Sequence, residues 1–416
     1  RVILIDWDCT MTQESDAAEA AFGVKPQPNT GTALEESIRR NAAELMDSAL
    51  EARIAAADAQ IAKLLAERIA LMRSLANKRV ARARPVRSDD EDKRRSVRRK
   101  AAAESAAISP VLLEEILGQL DREAFRNVRA LRFPSSIPDP KPVVIIGGRG
   151  GMGRLLDDHF RRSGWPVRIL ERNDWDQAES IFAGAGTVIV SVPIEATEAV
   201  IKAAAAKMPA DALLCDVTSV KTGPVKAMLA AHKGPVAGLH PMFGPDVTDF
   251  RAQVFVHSPG RFESAAEPLL EQIRLWGGKV VRCSAEDHDR AMSIIQARRH
   301  FTTYAYGVFL SEIKPDLHRI LSLSSPIYRL ELLMVGRLFA QDTHLYCDII
   351  MSDKEKSELI GAYVESLRPQ LDIVRTHDRE AFVKRFLQAR AYFGELAPQF
   401  MKESGAILAK IQADRS

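Results

Sequence analysis

The sequence predicts an α/β dinucleotide-binding domain with all-α regions on either side, and three observations predict it. A β-branched run, Val143–Ile146, meets glycines at Gly148, Gly150 and Gly153 in the G-x-G-x-x-G spacing, directly before a helical stretch, Arg154–Ser163. A second strand, Val167–Leu170, ends at Glu171, roughly 20 residues past the glycines, where a ribose-binding acid belongs. Outside residues 142–284 strand signals stop and helical spacing takes over.

Each glycine has a physical reason. The first lets strand turn into helix, the second lets backbone approach a pyrophosphate, and the third lets helix and strand pack closely. The helix N-terminus then offers free N–H groups to the phosphates. Arg149 and Met152 lie in the same loop, and Ser191 and Pro193 end a third strand on the same rim. A carboxylate at Glu171 would repel a 2′-phosphate and favours NAD, although Arg172 follows it directly.

Composition bounds the rest. The chain has 416 residues, 46% of them hydrophobic, enough for two or three globular domains. A net charge of +3 is too small for this length to argue for nucleic acid. Cys9, Cys215, Cys283 and Cys347 are far apart, which argues against a zinc site and for a reducing compartment, so a cytoplasmic location is expected. No apolar run approaches the ~18 residues of a membrane span. The chain starts with Arg1, and Met11 is read as a plausible true start.

Residues 1–36 are read as a poorly ordered extension. A helical region follows over residues 37–132. In it Leu50, Ile54, Ala57, Ile61, Leu64, Leu71 and Leu75 recur at three- and four-residue steps and predict one buried stripe, interrupted by Arg68 and followed by Arg79. An arginine on a buried stripe needs an anion or carboxylate. Arg79–Lys100 is densely charged and is read as a solvated loop and helix face. Ser109-Pro110 opens another helix, Val111–Leu131.

Residues 133–141 are a proline-rich linker. Strands are then predicted at Val143–Ile146, Val167–Leu170, Thr187–Val192, Leu213–Val217, Val236–Leu239, Val254–Val256 and Lys279–Cys283, in a doubly wound sheet. Residues 285–416 read as long helices that also pack against a second subunit, the last of them Arg379–Gln412.

Ligands of such sheets sit at the carboxyl ends of the strands. Three strand ends there carry polar residues in unusual company: Ser191–Pro193, Asp216–Lys221 and Gly238–Pro245 (GLHPMFGP). His240 is the candidate base, because an imidazole accepts a proton at neutral pH.

The GLHPMFGP segment, Ser219-Val220-Lys221, the glycine loop and Ser324–Gln341 (SSPIYRLELLMVGRLFAQ) resemble prephenate dehydrogenase, in particular the bifunctional chorismate mutase/prephenate dehydrogenase of tyrosine biosynthesis. The resemblance runs from about Pro142 to the C-terminus, and more weakly through about Leu50–Arg126. It implies a Rossmann-like domain with a helical C-terminal dimerisation domain and a chorismate-mutase-like N-terminal domain. It implies NAD-dependent oxidative decarboxylation of prephenate to 4-hydroxyphenylpyruvate, a homodimer, and tyrosine as feedback inhibitor. Residue by residue it implies that His240 takes the ring hydroxyl's proton, that Ser219 orients it, and that Arg337 binds the side-chain carboxylate. Lys221, His300 and Arg329 would support substrate binding.

In the mutase-like region Arg68 and Arg79 match family cations around chorismate, but Glu51 and Glu91 stand where further arginines are expected. Carboxylates around a dianion imply weak or absent mutase turnover. Two alternatives stay open: arogenate dehydrogenase, and a non-catalytic sensor of tyrosine or prephenate.

Overall fold

The structure, a computed structural model, describes residues 30–80, 82, 89–126, 132–247, 249–251, 253–351 and 354–413. The chain divides into two compact units, residues 1–72 and 73–416. Residues 1–29, with most of the expected disordered extension and the start at Met11, lie outside the described residues. The rest of that extension, 30–36, belongs to helix α1 (Thr30–Val80).

The helix is where the sequence predicts one, but its apolar stripe is not buried. Leu50, Ile54, Ile61, Leu64, Leu71 and Leu75 are all exposed. Periodicity identifies an apolar face, not the element that covers it, and within the first unit the described residues supply no second element.

In the second unit α2 (Asp89–Ser105) and α3 (Pro110–Arg126) pack together. The charged run is not simply solvated. Arg99 forks between Asp121 at 2.6 Å and Glu114 at 2.8 Å on α3, and Asp121 is buried. Arg79 pairs with Glu91, which also faces Arg95 at 3.9 Å.

The α/β core is a seven-stranded sheet in the order β2-β1-β3-β4-β5-β6-β7. The strands are β1 (Val143–Ile146), β2 (Val167–Leu170), β3 (Thr187–Val190), β4 (Leu213–Asp216), β5 (Val236–Pro241), β6 (Val254–Pro259) and β7 (Lys279–Arg282). β1, β3 and β4 are buried throughout, which explains their continuous apolar runs. Crossover helices α4 (Gly151–Arg162), α5 (Ala178–Phe182), α6 (Ile194–Ala205) and α7 (Thr222–Ala231) link the parallel strands, and α8 (Glu267–Leu275) links β6 to β7.

Two strands depart from the predicted doubly wound sheet, β6 and the β7 that pairs parallel with it. β6 runs antiparallel to β5, with His240 opposite Val256. A strand's direction is set by the length and path of its connection, which apolar patterning does not carry.

The rest is helical, as predicted: α9 (Ala285–Met292), a π-helical turn (Ser293–Arg298), α10 (Arg299–Ile313), α11 (Leu317–Leu323), α12 (Pro326–Phe339), α13 (Thr343–Met351), α14 (Lys354–Arg375), α15 (Arg379–Phe393) and α16 (Leu396–Ala413). The single helix expected over Arg379–Gln412 is two, because Gly394 adopts φ +49° and stops α15.

The helix that follows the glycine loop is held by an aromatic cage. His159 of α4 is buried, stacks on Phe250 at 3.9 Å and meets the edge of Trp276 at 5.4 Å. Its Nδ1–H donates to the Leu155 carbonyl at 2.8 Å. Burial lowers its pKa to about 4. The unfolded imidazole therefore protonates first as pH falls. Stability should drop as pH goes from about 6.5 to about 4, by roughly 3 kcal/mol from this group. Urea unfolding of His159→Phe at pH 7 and pH 4.5 should show a shallower loss than the wild type, and an equal loss would show that this imidazole is not held neutral.

Candidate active site at the carboxyl edge of the sheet

The glycine loop is built by close approach. Gly147, not Gly148, makes the left-handed turn, with φ +77°, and a Cβ there would lie 2.3 Å from the Ser191 carbonyl oxygen. Gly148 faces Ile169 of β2, where a Cβ would meet side-chain carbon at 2.8 Å. A Cβ on Gly153 would lie 2.4 Å from the Gly147 oxygen, so helix and loop touch there as the spacing predicts. A Cβ on Gly150 would meet a single atom within 4 Å, the Gly147 oxygen at 3.3 Å. That leaves open space beside the N-terminus of α4, whose first N–H groups lack intrahelical partners.

Glu171 lies against this loop. Its Oε1 accepts from the Arg149 N–H at 2.7 Å, and its own N–H donates to Asp174 at 2.9 Å. Ser191 follows β3 with its N–H on the Ile146 carbonyl, and Pro193 caps α6. These residues fit a dinucleotide: a tight glycine cradle, a helix N-terminus, and a carboxylate within reach of both.

His240 sits two strands away, inside β5 rather than just after it, and is buried. Its Nδ1 lies 2.8 Å from His288 Nε2, and its Nε2 lies 3.5 Å from Gln296 Nε2. His288 Nδ1 lies 2.8 Å from Asp289 Oδ1. Asp289 also accepts from the Lys221 N–H at 2.9 Å and the Thr222 N–H at 2.8 Å. Burial alone would raise the Asp289 carboxyl, but these donors outweigh it and hold the group ionised.

Burial, then the charge of Lys221, push His240 well below its ordinary pKa; Asp289 opposes the shift and Lys356 of α14 adds to it. His240 is thus neutral at neutral pH. Lys356 is itself buried.

The Lys221 ammonium already has a carboxylate partner. It is fully buried and paired with Asp216, which also accepts from the Thr218 N–H at 3.0 Å. The sequence reading gave Lys221 a supporting role in substrate binding; the strand end supplies the carboxylate that its ammonium meets. Ser219 lies in the same loop, half-buried, and His288 rather than Ser219 is the group on His240 Nδ1.

Arg337 of α12 reaches the loop after β5, where its guanidinium pairs with Asp246 at 2.6 Å. Tyr346 lies near enough for Arg337 to affect its titration. The Tyr346 ring meets His300 edge-on at 4.9 Å, and its hydroxyl donates to Gln341 at 3.0 Å. Burial, then Arg299, lowers the pKa of His300 to about 4. Arg329 is half-buried two turns earlier on α12, and among the described residues no hydrogen bond or ion pair ties its side chain to either group.

Sequence reasoning missed His288, Asp289, Gln296 and Lys356. The adjacent His288-Asp289 pair on an otherwise amphipathic helix was the one available signal. Among the described residues no group of three or more His, Cys, Asp or Glu side chains is arranged to hold a metal ion, and no helix is long and apolar enough to cross a membrane.

Two family models match: the prephenate dehydrogenase nucleotide-binding domain over residues 170–266 and the prephenate dehydrogenase dimerization domain over residues 284–388. The T-protein of Enterobacter agglomerans is 42% identical over 361 residues, covering 87% of this chain and 96% of that protein. The chain belongs to the T-protein family. The T-protein of Haemophilus influenzae is 41% identical over 86% of this chain and 95% of its own length. A crystal structure of prephenate dehydrogenase from A. aeolicus with hydroxyphenyl propionate and NAD+ shares the fold, with TM-score 0.52 and 18% identity over 63% of this chain and all of that one.

T-proteins are bifunctional chorismate mutase/prephenate dehydrogenases, and the cofactor of this chain's dehydrogenase is NAD. Gly147→Ala puts a Cβ into the Ser191 carbonyl and should weaken NAD binding at least about tenfold by calorimetry. Glu171→Gln, which keeps the shape and removes the repulsive charge, should narrow the preference for NAD over NADP.

Proposed function

We propose that this chain oxidises prephenate with His240 as base and Arg337 as carboxylate anchor, and that its mutase-like region turns over chorismate weakly. The observation that carries the first part is the neutral, buried His240 with its Nδ1 side taken by His288. NAD, when bound, supplies the hydride acceptor. His240 Nε2 takes the proton of the ring hydroxyl as the carbonyl forms, and loss of CO2 leaves an aromatic ring. Rearomatisation supplies much of the driving force, so the protein mainly positions the reactants. Ser219 at the neighbouring strand end orients the hydroxyl, and the buried Lys356 adds positive charge for a dianionic substrate.

Arg337 presents a planar fork suited to a carboxylate. The Asp246 carboxylate already meets it at 2.6 Å, so a substrate carboxylate would compete for that fork. His300 and Tyr346 border the same region. Arogenate differs by an amine near this anchor, and comparing the two substrates decides between them. Tyrosine shares the carboxylate and phenol of the product type and is the expected inhibitor. The exposed apolar residues of α10 and α12 to α16 favour a homodimer.

NADH formation should follow prephenate addition. His240→Asn should cut kcat by about 10²–10⁴-fold with little change in KM. Arg337→Ala should act mainly on KM. The acid limb of kcat/KM should lie below pH 6.5, because burial keeps the base bare to lower pH. Wild-type turnover by His240→Asn would exclude it as the base.

For the mutase, the Arg79–Glu91 pair supports the weak-turnover reading, since it neutralises a cation that chorismate would need. Chorismate turnover should be slow in the wild type and rise in Glu91→Gln. A fast wild-type rate would refute this.

A further inference from the structure

We propose that His288 and Asp289 are positioning residues for the dehydrogenase reaction, acting through a hydrogen-bonded chain, Asp289–His288–His240, that fixes the His240 proton on Nδ1 and leaves Nε2 bare toward the substrate hydroxyl. The inference rests on the reading of His240 as base.

The direction of the chain follows from donor and acceptor types. An ionised carboxylate can only accept. Asp289 Oδ1 is 2.8 Å from His288 Nδ1, so that nitrogen carries the proton and donates. With that one proton on its ring, His288 presents a bare Nε2 2.8 Å from His240 Nδ1. His240 Nδ1 must therefore be the donor. The lone pair of His240 is left on Nε2, where the Gln296 amide N–H₂ approaches at 3.5 Å. That contact has the right polarity, a donor facing an acceptor. Reversing any one link would set two donors or two acceptors face to face in a site where His240 and His288 are both buried from water.

Asp289 is fixed independently of the histidines. Its Oδ1 accepts from the Lys221 N–H and its Oδ2 from the Thr222 N–H, at the first turn of α7. The chain is anchored on the sheet domain although His288 and Asp289 belong to α9. The charged groups facing His240 come from three elements: Lys221 from the β4–α7 loop, Lys356 from α14, and Asp289 with His288 from α9. The two lysines disfavour a second positive charge. Asp289 opposes them and stabilises the imidazolium that forms when His240 accepts the proton. A wrong tautomer at such a base is costly even when the geometry is intact.

The test compares full-length wild type with His288→Leu, His288→Gln, Asp289→Asn and His240→Asn. For each, kcat and KM for prephenate, the pH profile and NAD binding by calorimetry are measured. His288→Leu removes the acceptor for His240 Nδ1 and should lower kcat about 100-fold, with KM and NAD affinity within about threefold. His288→Gln restores an acceptor oxygen and should recover at least about tenfold of that loss. Asp289→Asn removes the charge that supports the imidazolium, so the acid limb of kcat/KM should move to lower pH. In the wild type, ¹⁵N spectra of the histidines should show His240 protonated on Nδ1.

Equal kcat in wild type and His288→Leu would overturn the proposal. So would equal losses in the Leu and Gln variants together with lost NAD binding, the pattern of a merely structural residue. The control separates the two readings. If His240→Asn loses turnover while His288→Leu keeps it, the chain fails and the base stands. If His240→Asn keeps turnover, the base itself is wrong.

Discussion

The carboxylate of Asp289 is the point on which the site's geometry depends. It satisfies two backbone N–H groups at the start of α7 and one imidazole N–H from its own helix. Helix starts leave such N–H groups unpaired, and negative charge is favourable beside them. Here the acid comes from a segment 67 or 68 residues away in sequence. One side chain thus caps an element of the sheet domain and holds the first helix after it against the edge where His240 lies. The neighbouring Asp216–Lys221 pair, wholly buried, stiffens the same strand end. Neither pair would be cheap to break, since each would leave a charge without a partner in a dry environment.

Much of the sheet domain was legible because its signals are local. Glycine spacing, β-branched runs and an acid at the end of the second strand each depend on a few adjacent residues. They located β1 to β7 to within two or three residues at either end and set Glu171 against the loop. What the sequence hid depends on partners remote along the chain. His288 meets His240 across 48 residues, and no local pattern says which buried histidine a strand will meet. Lys221 read as support for substrate binding because it falls on a motif position of the family. The Asp216 that absorbs its charge is five residues earlier and points to the same place only once the strand ends. The turn at Gly147 rather than Gly148 is a shift of one residue that only backbone angles reveal.

The helical parts show the converse. Helix positions were predicted closely, yet burial was not. Leu50, Ile54 and Leu64 on α1, and Phe382, Phe386 and Phe393 on α15, stay exposed in the single chain. Apolar exposure on this scale is unusual for a monomer. It agrees with a C-terminal region that matches a dimerization domain. The periodic stripe was a correct reading of chemistry and an incorrect reading of which surface would meet it.

The π-helical turn at Ser293–Arg298 has a consequence for how this chain tolerates change. An α-helix advances about 100° per residue and a π turn advances less, so the wider turn absorbs one extra residue while the helix beyond keeps nearly the same phase. The turn joins α9, which carries His288 and Asp289, to α10, which carries His300. It works as a phase adjuster between the two faces. Substitutions within it alter one side chain each, and loss of a single residue would let the segment wind as α-helix with α10 still in nearly the same phase. The segment is therefore a slack point in the helix, able to take up a one-residue difference in length between the part that carries His288 and the part that carries His300.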